Sequence, residues 1–166
     1  MANISKFKQL VQSINKSSTI ILIGFMGSGK TTMGEKLAKK LNYKFLDTDK
    51  EIENLIGMSI AQIFESKGEK YFRTIEKQFL RNLDVSNTVI ATGGGLPCFN
   101  NNIDYLNQIG ITVYLKYSAE DLYERLKSET EKRPIIAGKS NEELLLFIKE
   151  LLYTRKAYYE KAQQIY

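Results

Sequence analysis

Thr19-Ile20-Ile21-Leu22-Ile23-Gly24-Phe25-Met26-Gly27-Ser28-Gly29-Lys30-Thr31 is the stretch on which the fold turns. Its first five residues form an apolar, β-branched run of the kind buried in a parallel strand. The next eight match G-x-x-x-x-G-K-[ST], and helical spacing follows at once through Met33, Leu37, Ala38 and Leu41. A strand, a glycine-rich turn and a helix in that order make a phosphate-binding loop. The glycines let backbone N–H groups turn toward one anion, and the helix presents its free amides and positive dipole end to the same place. Lys30 is expected to reach the β- and γ-phosphate oxygens, and the Thr31 hydroxyl to ligate Mg²⁺. Gly27, Ser28, Gly29, Lys30, Thr31 and Thr32 thus form the expected ATP-binding set. This motif speaks for a nucleotide and leaves the acceptor open.

Outward from the loop, Tyr43 to Leu46 reads as a second short strand, completing a βαβ unit. Thr88 to Thr92 and Ile111 to Leu115 read as two more buried strands. Helical periodicity marks Asp49 to Ile56, Ile60 to Phe64, Glu69 to Leu83, Ile103 to Ile109, Ala119 to Leu126 and Glu142 to Ala162. Alternating strands and helices predict an α/β fold, a parallel sheet with helices on both faces. Ahead of the loop, Ile4, Phe7, Leu10, Val11 and Ile14 share one helical stripe, so residues 1–17 are expected to carry an amphipathic helix, and 18–166 the kinase domain. Lys127 to Asn141 is polar and aperiodic, with Pro134 and Gly138, and reads as a mobile lid loop.

Composition narrows the chemistry. The 166 residues suit one domain, and a single cysteine, Cys98, excludes an internal disulfide. No apolar run approaches the ~20 residues of a membrane span, and no secretory signal opens the chain. A cytoplasmic monomer is therefore expected, with no membrane partner. The net charge of +5 is dispersed among 19 acidic residues rather than gathered in a basic run, so no nucleic-acid partner is expected. The chain has no histidine, so any acid–base work falls to carboxylates, Lys, Tyr or water.

A second cluster follows the other strands. Asp47-Thr48-Asp49 and Gly93-Gly94-Gly95 both lie at the carboxyl edge of the expected sheet, where ligands of open α/β folds bind. Asp47 and Asp49, two apart in an extended segment, point the same way, so one can face a metal and the other an acceptor hydroxyl. The same pair could instead cap the next helix, and the glycines could be a turn without a ligand. Arg73, Arg133 and Arg155, taken singly, are as readily surface charges.

Taken together, these segments resemble the shikimate kinase family over nearly all of residues 19–163. The resemblance rests on GFMGSGKTTMGEKLAKKL, FLDTD, the F-R-x-x-E of Phe72 to Glu76, the triple glycine, Lys132-Arg133-Pro134, and Arg155-x-x-x-Tyr159. It implies a three-layer P-loop kinase of the nucleoside monophosphate kinase type, with a shikimate-binding region at about 48–84 and a lid at about 127–141. It implies Mg-dependent transfer of the ATP γ-phosphate to the 3-hydroxyl of shikimate, giving shikimate 3-phosphate and ADP on the route to chorismate and the aromatic amino acids. It further implies that Asp47 helps Thr31 hold Mg²⁺, and that Asp49, Arg73, Gly94, Gly95 and Arg155 bind shikimate. Arg133 would close on the phosphates, making Lys30, Asp49 and Arg133 the catalytic set. Arg125 is similar in place to an arginine that lies against adenine in the family.

Family members continue past the Arg155 helix into another strand, an adenine-side loop and a last helix. A four-stranded sheet of order 2-3-1-4 is therefore expected, with the usual fifth strand missing. Either the chain is cut short or the helix over residues 3–16 covers part of the exposed surface. Two further readings remain open: another P-loop small-molecule or nucleoside monophosphate kinase, and a nucleotide-binding protein without transfer activity.

Overall fold

The computed structural model describes residues 19–129 and 134–166. The predicted N-terminal helix and Arg133 lie outside these residues. Within them, every predicted strand forms within a residue or two of its expected bounds: β1 (Ile20–Ile23), β2 (Lys44–Asp47), β3 (Thr88–Ala91) and β4 (Ile111–Tyr114). All pair in parallel. Ile20 stands opposite Val89 on one side of β1 and opposite Ile111 on the other, and β2 lies outside β3 with Asp47 opposite Ala91.

The expectation of four strands is corrected. A fifth, β5 (Gln164–Ile165), pairs in parallel with the open edge of β4, and the order is β2-β3-β1-β4-β5. The Tyr166 N–H donates to the Tyr114 carbonyl at 2.8 Å and the Lys116 N–H to the Tyr166 carbonyl at 3.0 Å, carrying the ladder through the final residue. Two residues are too few to show a period of two. The strand is placed instead by tertiary bonds: the Gln163 N–H donates to Thr112 Oγ1 and the Asn107 side-chain amide to the Lys161 carbonyl.

The helices are α1 (Lys30–Leu41), α2 (Thr48–Ile56), α3 (Ile60–Arg81), α4 (Asn102–Ile109), α5 (Ala119–Leu126) and α6 (Asn141–Tyr159). The two segments predicted on either side of residue 68 run as one helix broken by Gly68, whose φ of 79° and ψ of 166° are not helical. Ser59 and Ser140 open their helices with full capping boxes, answered by Gln62 and Glu143. Side chains alternate across β1, so Ile20 and Leu22 pack with Leu37 and Ala38 of α1, while Ile21 and Ile23 join the larger core with α4, α5 and α6. A separate cluster of Ile52, Ile63 and Phe72 locks α2 against α3. That small core sets the wall of the region predicted to bind the acceptor.

Candidate active site

The phosphate loop connects β1 to α1. Gly24, Gly27 and Gly29 have φ of 142°, 76° and 87°, values that other residues adopt only with strain. A Cβ at Gly27 would meet the Leu126 side chain at 2.9 Å, so α5 presses on the loop from outside. Lys30 is buried, and its ammonium donates to the carbonyls of Gly24 at 2.9 Å and Phe25 at 2.8 Å and to Ser28 Oγ at 3.4 Å. Beside it, Thr31 Oγ1 donates to Asp47 Oδ2 at 2.8 Å. The Asp47 carboxylate also accepts from the backbone N–H of Asp49 at 3.2 Å. Of the two alternatives for this pair, Asp47 does cap the helix, and its other oxygen meets Thr31. Thr31 and Asp47 put two hard oxygen donors side by side, a set that suits Mg²⁺, which takes few protein ligands and keeps waters and phosphate oxygens. Thr32 is exposed in the first turn of α1.

The glycine turn after β3 brings the second cluster against this loop. A Cβ at Gly93 would collide with the Asp49 carboxylate. One at Gly94 would lie 3.3 Å from the Met26 nitrogen and 3.5 Å from Arg155 Nη1, and one at Gly95 would lie 2.8 Å from Arg73 Nη2. None of the three glycines has a left-handed φ, so it is close approach that requires them here. The turn is held by the Gly93 N–H, which donates to buried Thr48 Oγ1 at 2.9 Å, and by Tyr159, whose hydroxyl donates to the Gly94 carbonyl at 2.6 Å. Asp49, Arg73, Arg155, Gly94 and Gly95 are thus brought together, beside Lys30, Thr31 and Asp47.

Arg73 is held at its edges. Its Nε and Nη2 donate to Glu69 at 3.1 and 2.8 Å, and its Nη1 to Glu76 at 2.6 Å. A guanidinium has five N–H groups. Among the described residues these bonds take three of them, leaving one N–H on each Nη for a further acceptor. Glu76 is fully buried, and burial pushes its carboxyl up to about 7 against the pull of Arg73. Burial, reinforced by the Asp47 charge, likewise raises Asp49 to about 6, with Lys30 and Arg73 opposing. Burial pushes the half-buried Cys98 thiol up to about 11.

Arg125 projects from α5 over the loop, its guanidinium 4.0 Å from the Tyr117 ring centre and its Nη1 donating to the Gly27 carbonyl at 3.4 Å. Glu76, Thr48 and Tyr159 were assigned no role from the sequence. All three stood inside quoted motifs, which was a signal; the role of the Thr48 hydroxyl becomes legible only when β2 and β3 are adjacent. Among the described residues no three His, Cys, Asp or Glu side chains gather to hold a metal, and no helix is long and apolar enough to cross a membrane.

Comparison with known proteins places most of the chain beside one family. The family model for shikimate kinase matches residues 26–166. A shikimate kinase from Parabacteroides distasonis is 44% identical over 144 residues, covering 86% of this chain and 83% of its own. The crystal structure of the shikimate kinase from Bacteroides thetaiotaomicron superposes with a TM-score of 0.87 at 40% identity, over 90% of this chain and 86% of that one. The shikimate kinase from Acinetobacter baumannii, solved in complex with shikimate, gives a TM-score of 0.80 at 37% identity, covering 95% of this chain and 86% of its own.

Proposed function

This chain belongs to the shikimate kinase family, and from that premise we propose that it transfers the γ-phosphate of ATP to the 3-hydroxyl of shikimate, yielding shikimate 3-phosphate and ADP for aromatic amino acid biosynthesis. The observation that carries the proposal is the convergence of Asp49, Arg73 and Arg155 on the Gly93–Gly95 turn, directly beside the phosphate loop. Shikimate carries a carboxylate and hydroxyls, so its site needs cationic forks together with a carboxylate that orients a hydroxyl. Arg73 and Arg155 supply the forks, and the Gly94 and Gly95 backbone allows the ring to approach closely. Asp49 orients the acceptor hydroxyl and accepts its proton, a role open to a carboxylate raised to about 6.

Phosphoryl transfer asks for alignment and charge neutralisation more than for covalent chemistry, so a chain without histidine can perform it. Gly27, Ser28, Gly29 and Thr32 hold the phosphates, and Lys30 exchanges its loop carbonyls for phosphoryl oxygens. Arg125, whose guanidinium lies 4.0 Å from the Tyr117 ring centre, is proposed as the arginine that lies against adenine. Arg133 is proposed as the lid arginine. Thr31 and Asp47 would hold Mg²⁺, which when bound would neutralise charge on the β- and γ-phosphates. Cytoplasmic location and a monomeric state complete the reading.

A coupled ADP-release assay with Mg-ATP tests it, comparing shikimate with quinate, AMP and no acceptor. Release that depends on shikimate is the expected result. Release with AMP alone would replace the reading with a nucleotide kinase, and ATP binding without release to any acceptor would leave a binding protein.

A further inference from the structure

The geometry points to Phe99 as a positioning residue that fixes the plane of the Arg73 guanidinium, and through it the acceptor carboxylate. This rests on the reading of Arg73 as the carboxylate fork. Glu69 and Glu76 hold the guanidinium by its edges, which settles where it sits but leaves it free to tilt. The Phe99 ring centre lies 4.0 Å from Arg73 Cζ, nearer than those of Phe72 at 5.2 Å and Phe64 at 5.9 Å. A ring with the guanidinium carbon 4.0 Å over its centre supplies the missing constraint and attracts the cation.

The loop carrying Phe99 is itself pinned. The Cys98 N–H donates to the Gly95 carbonyl at 2.9 Å, the Asn102 N–H to the Phe99 carbonyl at 2.9 Å, and the buried Asn102 amide to the Leu96 carbonyl at 3.0 Å. Asn100 and Asn101 then take left-handed φ of 53° and 54°, a conformation asparagine tolerates better than most residues. That turn lets the Asn100 side chain donate to the Arg73 backbone carbonyl at 3.0 Å. One short loop therefore grips Arg73 at both backbone and guanidinium, while leaving an aromatic ring partly in solvent.

The test is a series, Phe99→Leu, Phe99→Tyr and Arg73→Lys, with the Phe99→Leu, Arg73→Lys double variant. Phe99→Leu should raise KM for shikimate about tenfold with KM for ATP unchanged, Phe99→Tyr should stay near wild type, and Phe99→Leu should add nothing on top of Arg73→Lys. A wild-type KM in Phe99→Leu, or a KM for ATP rising in step, would overturn the inference. An independent readout is the NMR signal of the Arg73 Nε–H in the ligand-free protein, identified by its loss in Arg73→Lys. It should move in Phe99→Leu and hold in Phe99→Tyr. If wild-type enzyme transfers nothing to shikimate but this signal moves, the clamp stands and the proposed acceptor falls. A signal that does not move overturns the clamp.

Discussion

The phosphate loop takes its donors from eight consecutive residues, whereas the acceptor pocket collects Asp49, Arg73, the Gly93–Gly95 turn and Arg155 from separate elements spread between residues 49 and 155. The loop is largely backbone, shaped by left-handed glycines and a helix start. The pocket is largely side chain, shaped by burial and ion pairs. A site of the first kind depends on local conformation; one of the second kind depends on how well α2, α3 and α6 are docked. The two halves should therefore fail differently when perturbed, and Lys30, a loop residue whose charge also reaches Asp49, offers the severest case.

Lys30→Met removes the cation proposed to act on the transferring group while keeping an unbranched stem of nearly the same length. We expect kcat to fall on the order of 10³-fold, since the charge acts where negative charge is shared in the transition state. KM for shikimate should change little. Steady-state kinetics separate the two, and a comparable rise in KM for shikimate would break the division into halves, with the Lys30 charge acting on Asp49 as the reason.

Gly93→Ala strikes the other half alone. Its φ is not left-handed, so the backbone accepts alanine and the whole effect reports the collision with Asp49. Displacing that carboxylate by about an ångström should lower kcat/KM for shikimate by up to about 10²-fold. ATP affinity, measured by calorimetry, should remain at its wild-type value. Loss of ATP binding would show that the glycine turn also shapes the phosphate loop, to which it already lies close at Met26.

The same contrast explains what the sequence could reveal. The loop was legible because its physics is local: an apolar run, fixed glycine spacing and an amphipathic helix are all contiguous. Four strands and the helices around them followed from the same periodicities. Asp49 and the glycine turn could be placed at the sheet edge from the strands before them, but Arg73 and Arg155 were visible as acceptor residues only through a resemblance, because no spacing announces that residue 73 will meet residue 95, or that Glu76 will be buried beneath an arginine. Phe99 was missed for that reason, since an isolated phenylalanine after Pro97 and Cys98 has no pattern. β5 escaped because two residues have no period; its place comes from the bonds of Gln163 and Asn107.

The mildest perturbation is protonation, which should also act on the acceptor half. Asp49 must be ionised to take the acceptor's proton. With its carboxyl raised to about 6, kcat/KM for shikimate at saturating Mg-ATP should fall as pH drops through 6 and stand about tenfold lower at pH 5 than at pH 7. Stability runs the opposite way. A carboxylate whose folded pKa exceeds its unfolded value of 3.8 contributes stability that is full below that value and is lost as pH rises through 6. Asp49→Asn does not titrate, so relative to wild type its unfolding free energy should improve between pH 5 and pH 8 by about 1.4 kcal/mol. Denaturant melts at the two pH values measure this, and only the pH-dependent part of the difference counts, because the amide also alters hydrogen bonding by a constant amount. A difference independent of pH would mean that Asp49 is not the raised group, and an acid limb that persisted would then belong to Glu76, whose carboxyl is pushed up to about 7.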